Sequence, residues 1–407
     1  MEATAKSAQQ RIRFLDLILF VFGVKLYCSA GIENVFNIAL RIICSAVFYL
    51  NFIAFIVITD HKEDIFLSLA FIFKYLIYIA LHHYVSLMLT TLRSIFDDHD
   101  QIACSYCIEG SSSYVPLKIG SKGMLKGWCM ITVGALATTA RLVSFDYKAF
   151  SKYEKRSQKE NIVNAILTTL LMNVVLVIYN FGWLFATFVI YTYVYLLLKE
   201  LDANFFMLAK KLYVCANSSQ EVDEHTQQNS TSVEGDVKSK EADQENDTEP
   251  VDKHLVLAKL RELRRSMQTF KEKVNKYYGL LPFLWYILVY FETSWLLIAT
   301  SAASLVSNLS EIIYRSTITL YIILISLFVE HVYNVEKSST DRLLGNLKVD
   351  ASDNNEVMQE KILLVRDINE SPIVVPKVLL LIPINKYSLI ILFAITIPSS
   401  LAIRLFT

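Results

Sequence analysis

Apolar runs of about twenty residues recur along this chain, and each is long enough to cross a roughly 30 Å hydrocarbon core as a helix. They fall at about 38–58, 65–89, 124–145, within 162–198, and at about 279–306, 312–333 and 386–407. Only 19% of residues are charged and 54% are hydrophobic, whereas a soluble globular domain is about 25% charged. The expected fold class is therefore all-α: a polytopic membrane protein with seven transmembrane helices. Formal net charge is zero, so nothing points to nucleic acid as a partner. The polar opening of the chain, 1–13, shows no cleavable signal.

Residues 14–27 are apolar but short, and Asp16, Gly23 and Lys25 interrupt them, so an interfacial or re-entrant segment is expected rather than a span. Arg41, near the start of the first span, is expected to snorkel to the surface. Residues 162–198 run 37 positions without a charge, about 55 Å of helix at 1.5 Å per residue. One long helix continuing beyond the bilayer is expected there, rather than two short spans.

Seven spans place the two ends of the chain on opposite sides. The segment 1–37 and the loops after spans two, four and six hold 26 Lys and Arg; the other three loops hold 6. Basic residues favour the cytoplasm, so the N-terminus is expected inside and the C-terminus outside. The sequons at Asn217, Asn229 and Asn246 would be used only if the fourth loop were external; the charge bias decides against that.

The chain then divides as a cytoplasmic or interfacial segment 1–37, helices one to four in 38–198, and a cytoplasmic loop 199–278. Helices five and six follow in 279–333, then a cytoplasmic linker and helix 334–385, and helix seven in 386–407. Within the long loop, 217–253 has 11 acids, 3 bases and no aromatic residue. It is expected to be disordered, having too little apolar surface to offset the entropy of ordering. Residues 254–278 are different. Val256, Leu260, Leu263, Met267, Phe270, Val274 and Tyr277 alternate spacings of four and three, a heptad seam that packs on its own chain or on another subunit. An amphipathic helix is also expected near 356–366, ended by Pro372 and Pro376.

Catalytic signatures are missing: no HExxH, no GxSxG and no P-loop. An enzyme is not expected, nor a cofactor. The Cys104–Cys107 pair has no second pair at metal-ligand spacing. His82 and His83 are adjacent, so on a helix they point different ways and do not form a metal pair. Lys74 and Glu292 both fall near mid-membrane, where ionisable groups are costly and tend to be functional. They are expected to pair, either as a structural ion pair or as the polar floor of a ligand cavity. Tyr75, Tyr78, Tyr179, Trp285, Tyr290 and Trp295 would surround it. Arg141 and Arg315 are expected to be external interfacial anchors. In the last run Thr396, Ser400 and Arg404 share one helical face with Pro398 among them. That stripe either packs on another helix through its hydroxyls or lines water.

The layout resembles the insect gustatory receptors, relatives of the insect odorant receptors. The Phe22-Gly23 step in the N-terminal apolar stretch is similar to theirs, as are the helical extensions of the later spans. Their motif near the end of the last span is Thr-Tyr, five apolar residues, then Gln-Phe; here only Phe406 matches it. The resemblance implies a plasma-membrane, tastant-gated cation channel subunit in a homo- or heterotetramer. Helix seven would line the pore, with Thr396, Ser400 and Arg404 on it. It also implies a small-molecule site in the outer half of spans two to six, where Lys74, Tyr75, Tyr78, Tyr179, Tyr290, Glu292 and Trp295 lie. A ring of Arg404 side chains near the outer mouth would repel cations. With one carboxylate in view, an apolar, bitter-type ligand is favoured over a sugar. The alternatives are an odorant receptor subunit and a seven-helix receptor coupled to a G protein. The second lacks its Asp/Glu-Arg-Tyr step after span three and its Asn-Pro-x-x-Tyr in span seven.

Overall fold

The computed structural model describes residues 16, 19–26, 31–58, 65–106, 183–228, 253–299, 309–347, 353–371, 373–378 and 381–406. Among them the chain is almost wholly helical. In order come α1 (Ile32–Ile58), α2 (Ile65–Leu87), α3 (Leu89–Ser105), α4 (Trp183–Gln228) and α5 (Lys253–Tyr278). Then follow α6 (Leu281–Ala299), α7 (Leu309–Asn346), α8 (Asn355–Glu370) and α9 (Lys386–Phe406). Two-residue strands, β1 (Lys377–Val378) and β2 (Ile382–Pro383), pair antiparallel between α8 and α9. Three helical stretches among the described residues are long and apolar enough to cross a membrane, and the bent pair α2–α3 makes a fourth. The expected third span, most of the fourth, Arg141 and Tyr179 lie outside the described residues.

The helices stack in two tiers. In the apolar tier α6 is central, packed against α2, α7 and α9. The polar tier is built on α5, which packs against α3, α4 and α8. Its heptad positions Leu260, Leu263, Met267, Phe270, Val274 and Tyr277 are all buried within this one chain. The seam is thus filled by the protein's own helices. The charged flank of α5 faces α8, where Arg261 meets Glu360 at 2.7 Å and Arg265 meets Asp367 at 2.9 Å.

Several helices outrun their apolar runs. The second span does not stop at 89: it bends by 50° at Met88 and continues as α3. The buried positions of α3, Leu92, Ile95, Phe96, His99 and Ile102, form one apolar stripe on an otherwise charged helix. Helix α4 runs on to Gln228. Helix α7 continues past 333 to Asn346. Where α4, α5 and α7 meet in the polar tier, Lys271 is fully buried, 3.1 Å from Asp202 and 2.5 Å from Glu336.

The described part of the N-terminal stretch packs into the bundle. Leu19, Phe22, Val24 and Leu26 are buried, and the Phe22 ring lies 5.1 Å from Trp183. Its backbone is held by side chains: Asp16 accepts the Leu26 N–H at 2.6 Å, and Arg93 donates to the Leu26 carbonyl at 2.7 Å. The half-buried Arg41 donates its Nε to the Gly23 carbonyl at 3.0 Å. Gly23 has φ +67°, and a Cβ there would sit 2.1 Å from the Arg41 amide nitrogen, so only glycine fits.

Candidate functional site

Three helices of the apolar tier each bring one ionisable side chain to a common point. Glu292, from α6, is fully buried. Its Oε2 accepts from Arg315 Nη1 of α7 at 2.6 Å, and its Oε1 pairs with Lys74 Nζ of α2. Burying a carboxylate among apolar helices is costly unless cations meet it, and here each oxygen has one. The Arg315 guanidinium also lies 5.0 Å from the Trp295 ring centre, a cation–π contact. The parallel Phe73 and Phe291 rings, 5.9 Å apart, flank the cluster. The arrangement ties α2, α6 and α7 together at one point and sets charged hydrogen-bonding groups in apolar surroundings.

The expected pair Lys74–Glu292 is therefore formed, but Arg315 is not an interfacial anchor. It is 2% exposed and completes the cluster. Its position near the start of an apolar run suggested the membrane surface. The signal that could have placed it was Glu292 itself, since a single lysine on another helix leaves one carboxylate oxygen unmet. Tyr78 is buried on α2 and Tyr75 is half-buried. Trp285 belongs elsewhere, packed on Phe188 and Tyr191 of α4. Tyr290 faces α9, donating to Ser399 Oγ at 3.0 Å.

Helix α9 is fastened to α6 and α7 by hydroxyls. Tyr286 of α6 bonds both Ser388 Oγ of α9 at 2.9 Å and Ser326 Oγ of α7 at 3.1 Å. Asn385 caps α9, accepting from the Tyr387 and Ser388 amides at 3.0 Å. Thr396 is fully buried and Ser400 is 1% exposed. Their hydroxyls turn back to the Leu392 and Thr396 carbonyls at 2.7 and 2.6 Å. In the folded chain the polar stripe is thus turned into the subunit, as a helix–helix contact. The outward face of α9 is apolar instead: Tyr387, Ile391, Ile395, Leu401 and Leu405 are exposed. The Arg404 side chain lies outside the described residues.

His82 is buried, 5.2 Å from the Phe48 and Trp183 rings, with its Nδ1 3.4 Å from the Ser45 hydroxyl; His83 is exposed and bonds the Tyr49 hydroxyl at 2.9 Å. No group of metal-ligating side chains occurs among the described residues. A polar cleft of about 290 Å³ lies between α3 and α5, lined in part by Asp98, Lys259, Glu262 and Lys273. Each lysine there already meets a carboxylate, Lys273 with Asp98 at 2.5 Å and Lys259 with Glu262 at 3.2 Å.

The insect olfactory receptor OR5 from Machilis hrabei, in complex with eugenol, superposes with a TM-score of 0.65 at 9% identity. The match covers 98% of this chain and 99% of that one. This chain shares the fold of an insect olfactory receptor. A second structure of the same receptor gives a TM-score of 0.65 at 10% identity over 98% of both chains. No protein-family model matches the sequence, and no curated protein matches it either. The likeness thus rests on helix arrangement over the whole chain, at an identity where sequence carries no signal.

Proposed function

We propose that this protein is a subunit of an insect-type chemosensory channel: a small molecule opens a cation path formed where four copies meet. The observation that carries the reading is the whole-length likeness to an olfactory receptor described with a bound small molecule. The outward apolar face of α9 fits it, since Ile391, Ile395 and Leu401 are exposed among the described residues. Helix α9 lines the shared axis with that outward face. Thr396 and Ser400 hold the helix to the rest of the subunit. The Lys74–Glu292–Arg315 cluster forms the polar floor of the ligand site, with Tyr75, Tyr78 and Trp295 near it. The polar tier lies in the cytoplasm, the C-terminus outside, and the assembly is in the plasma membrane. A tastant is the proposed ligand. An odorant is the second reading, favoured by the eugenol-bound neighbour.

The test is heterologous expression with current recording against a panel of tastants and odorants, eugenol included. Cysteines at Ile391 and Ile395 should let thiol reagents block the current, whereas cysteines at Thr396 and Ser400 should not. If purified particles are single subunits, or if no ligand evokes a current from surface-expressed protein, the reading fails.

A further inference from the structure

Two helix joints sit side by side between the tiers, and one side chain connects them. The first is the 50° bend between α2 and α3 at Met88. Neither proline nor glycine stands at that bend. Met88 has φ −84° and ψ 3°, away from the helical well. The helical ladder still runs through it: the Met88 N–H bonds the Tyr84 carbonyl at 2.9 Å, and the Leu92 N–H bonds the Met88 carbonyl at 2.8 Å. Both backbone groups of Met88 are thus paired at the bend itself.

The second joint separates α5 from α6. Pro282, in the first turn of α6, has no N–H to offer the preceding turn and would clash with the carbonyl four residues back. Gly279 takes φ +25°, a value other residues rarely adopt. The carbonyls that end α5 need donors, and one donor comes from the other joint. Tyr84, four residues before Met88, donates its hydroxyl to the Tyr277 carbonyl at 2.8 Å, with the Lys276 carbonyl at 3.4 Å. A Cβ on Gly279 would stand 2.4 Å from that hydroxyl oxygen and 3.5 Å from Tyr84 Cζ. Glycine here thus supplies the φ and leaves room for the Tyr84 hydroxyl.

On either side of the joints the same two helical lines are paired. In the apolar tier α2 packs on α6 and is tied to it by Lys74–Glu292. In the polar tier α3 packs on α5, where Lys273 donates to Ser94 at 2.8 Å and to Asp98 at 2.5 Å. By helical rise these ties lie roughly 15–20 Å and 10–15 Å from the joints. Each tier is thus tied as a pair, one on either side of the joints.

We infer that Tyr84 and Gly279 couple the α2–α3 bend to the α5–α6 break, so that the two joints open and close as one hinge between the tiers. A rearrangement at the Lys74–Glu292 tie then reaches the polar tier through both lines at once. A plain cap on α5 would stabilise that helix end and nothing else.

Hydrogen exchange on the purified full-length protein distinguishes the two, and it requires neither ligand nor conduction. Tyr84→Phe keeps the ring and removes the hydroxyl. It should raise exchange about fivefold, the size of one hydrogen bond, at amides 280–284 and also at amides 88–92. The second set lies in a helix whose own hydrogen bonds the substitution leaves untouched. Gly279→Ala should raise exchange at 88–92 as well. The double variant should be no worse there than Gly279→Ala alone, because removing the hydroxyl relieves its clash with the new Cβ. If Gly279→Ala fails to fold, the double variant and Tyr84→Phe still carry the comparison. Faster exchange confined to 277–284, no change at either joint, or additive effects in the double variant would each overturn the coupling.

Discussion

Glu292→Gln is the substitution whose cost the structure specifies best. Glu292 is fully buried and meets two cations, Arg315 at 2.6 Å and Lys74 on the other oxygen, themselves 2% and 7% exposed. Two unit charges with centres about 4 Å apart attract by roughly 4 kcal/mol at an effective dielectric near 20. Much of that offsets desolvation, so the pair contributes little net stability, but removing one partner leaves the others buried without it. Such a change costs about 3–5 kcal/mol, a large share of the roughly 5–15 kcal/mol that holds a folded protein. At about 2 °C per kcal/mol for a chain of this size, the melting midpoint should fall by roughly 6–10 °C. Fluorescence-detected size exclusion of detergent-solubilised protein after heating gives that midpoint directly. Replacing Lys74, Glu292 and Arg315 together by methionine should recover most of the loss, because no charge is then left buried. A Glu292→Gln midpoint within 1–2 °C of the parent, on the order of the change for a surface substitution, would refute the reasoning. If the triple variant melts normally yet no longer answers ligand, the cluster serves the ligand and not only the fold.

The same physics yields shorter predictions. Gly23→Ala should abolish surface delivery, since its Cβ would meet the Arg41 amide nitrogen at 2.1 Å; surface biotinylation at parental levels would contradict this. Lys271→Met should destabilise the polar tier by about 3–5 kcal/mol, because Asp202 and Glu336 both rely on it at 3.1 and 2.5 Å. Thermal midpoints in detergent would measure the loss, and Arg265→Met, on a side chain 53% exposed, should move them far less. An epitope after Thr407 should stain intact cells if the C-terminus is external; staining only after permeabilisation would reverse the orientation.

Much of the architecture is legible in the sequence because a helix in a membrane must be apolar for a fixed length. The start of α9 at Lys386, the heptad of α5 and the amphipathic α8 follow from composition and period alone. The pairing of Lys74 with Glu292 is legible too, since a charge inside an apolar helix needs its opposite. Periodicity tells which residues share a face; it does not tell what that face meets. In a bilayer both lipid and protein interior are apolar, so an isoleucine face and a hydroxyl stripe on α9 could each have pointed either way. Packing against Tyr286 and Tyr290 turned Ser388 and Ser399 inward, with Thr396 and Ser400 buried alongside. Tertiary structure likewise drew Arg315 into the cluster, filled the α5 seam from within the chain, and bent α2 into α3 at a methionine that no local rule marks. Local chemistry determined where the helices are; contacts between residues far apart in the chain decided which way they face and where they bend.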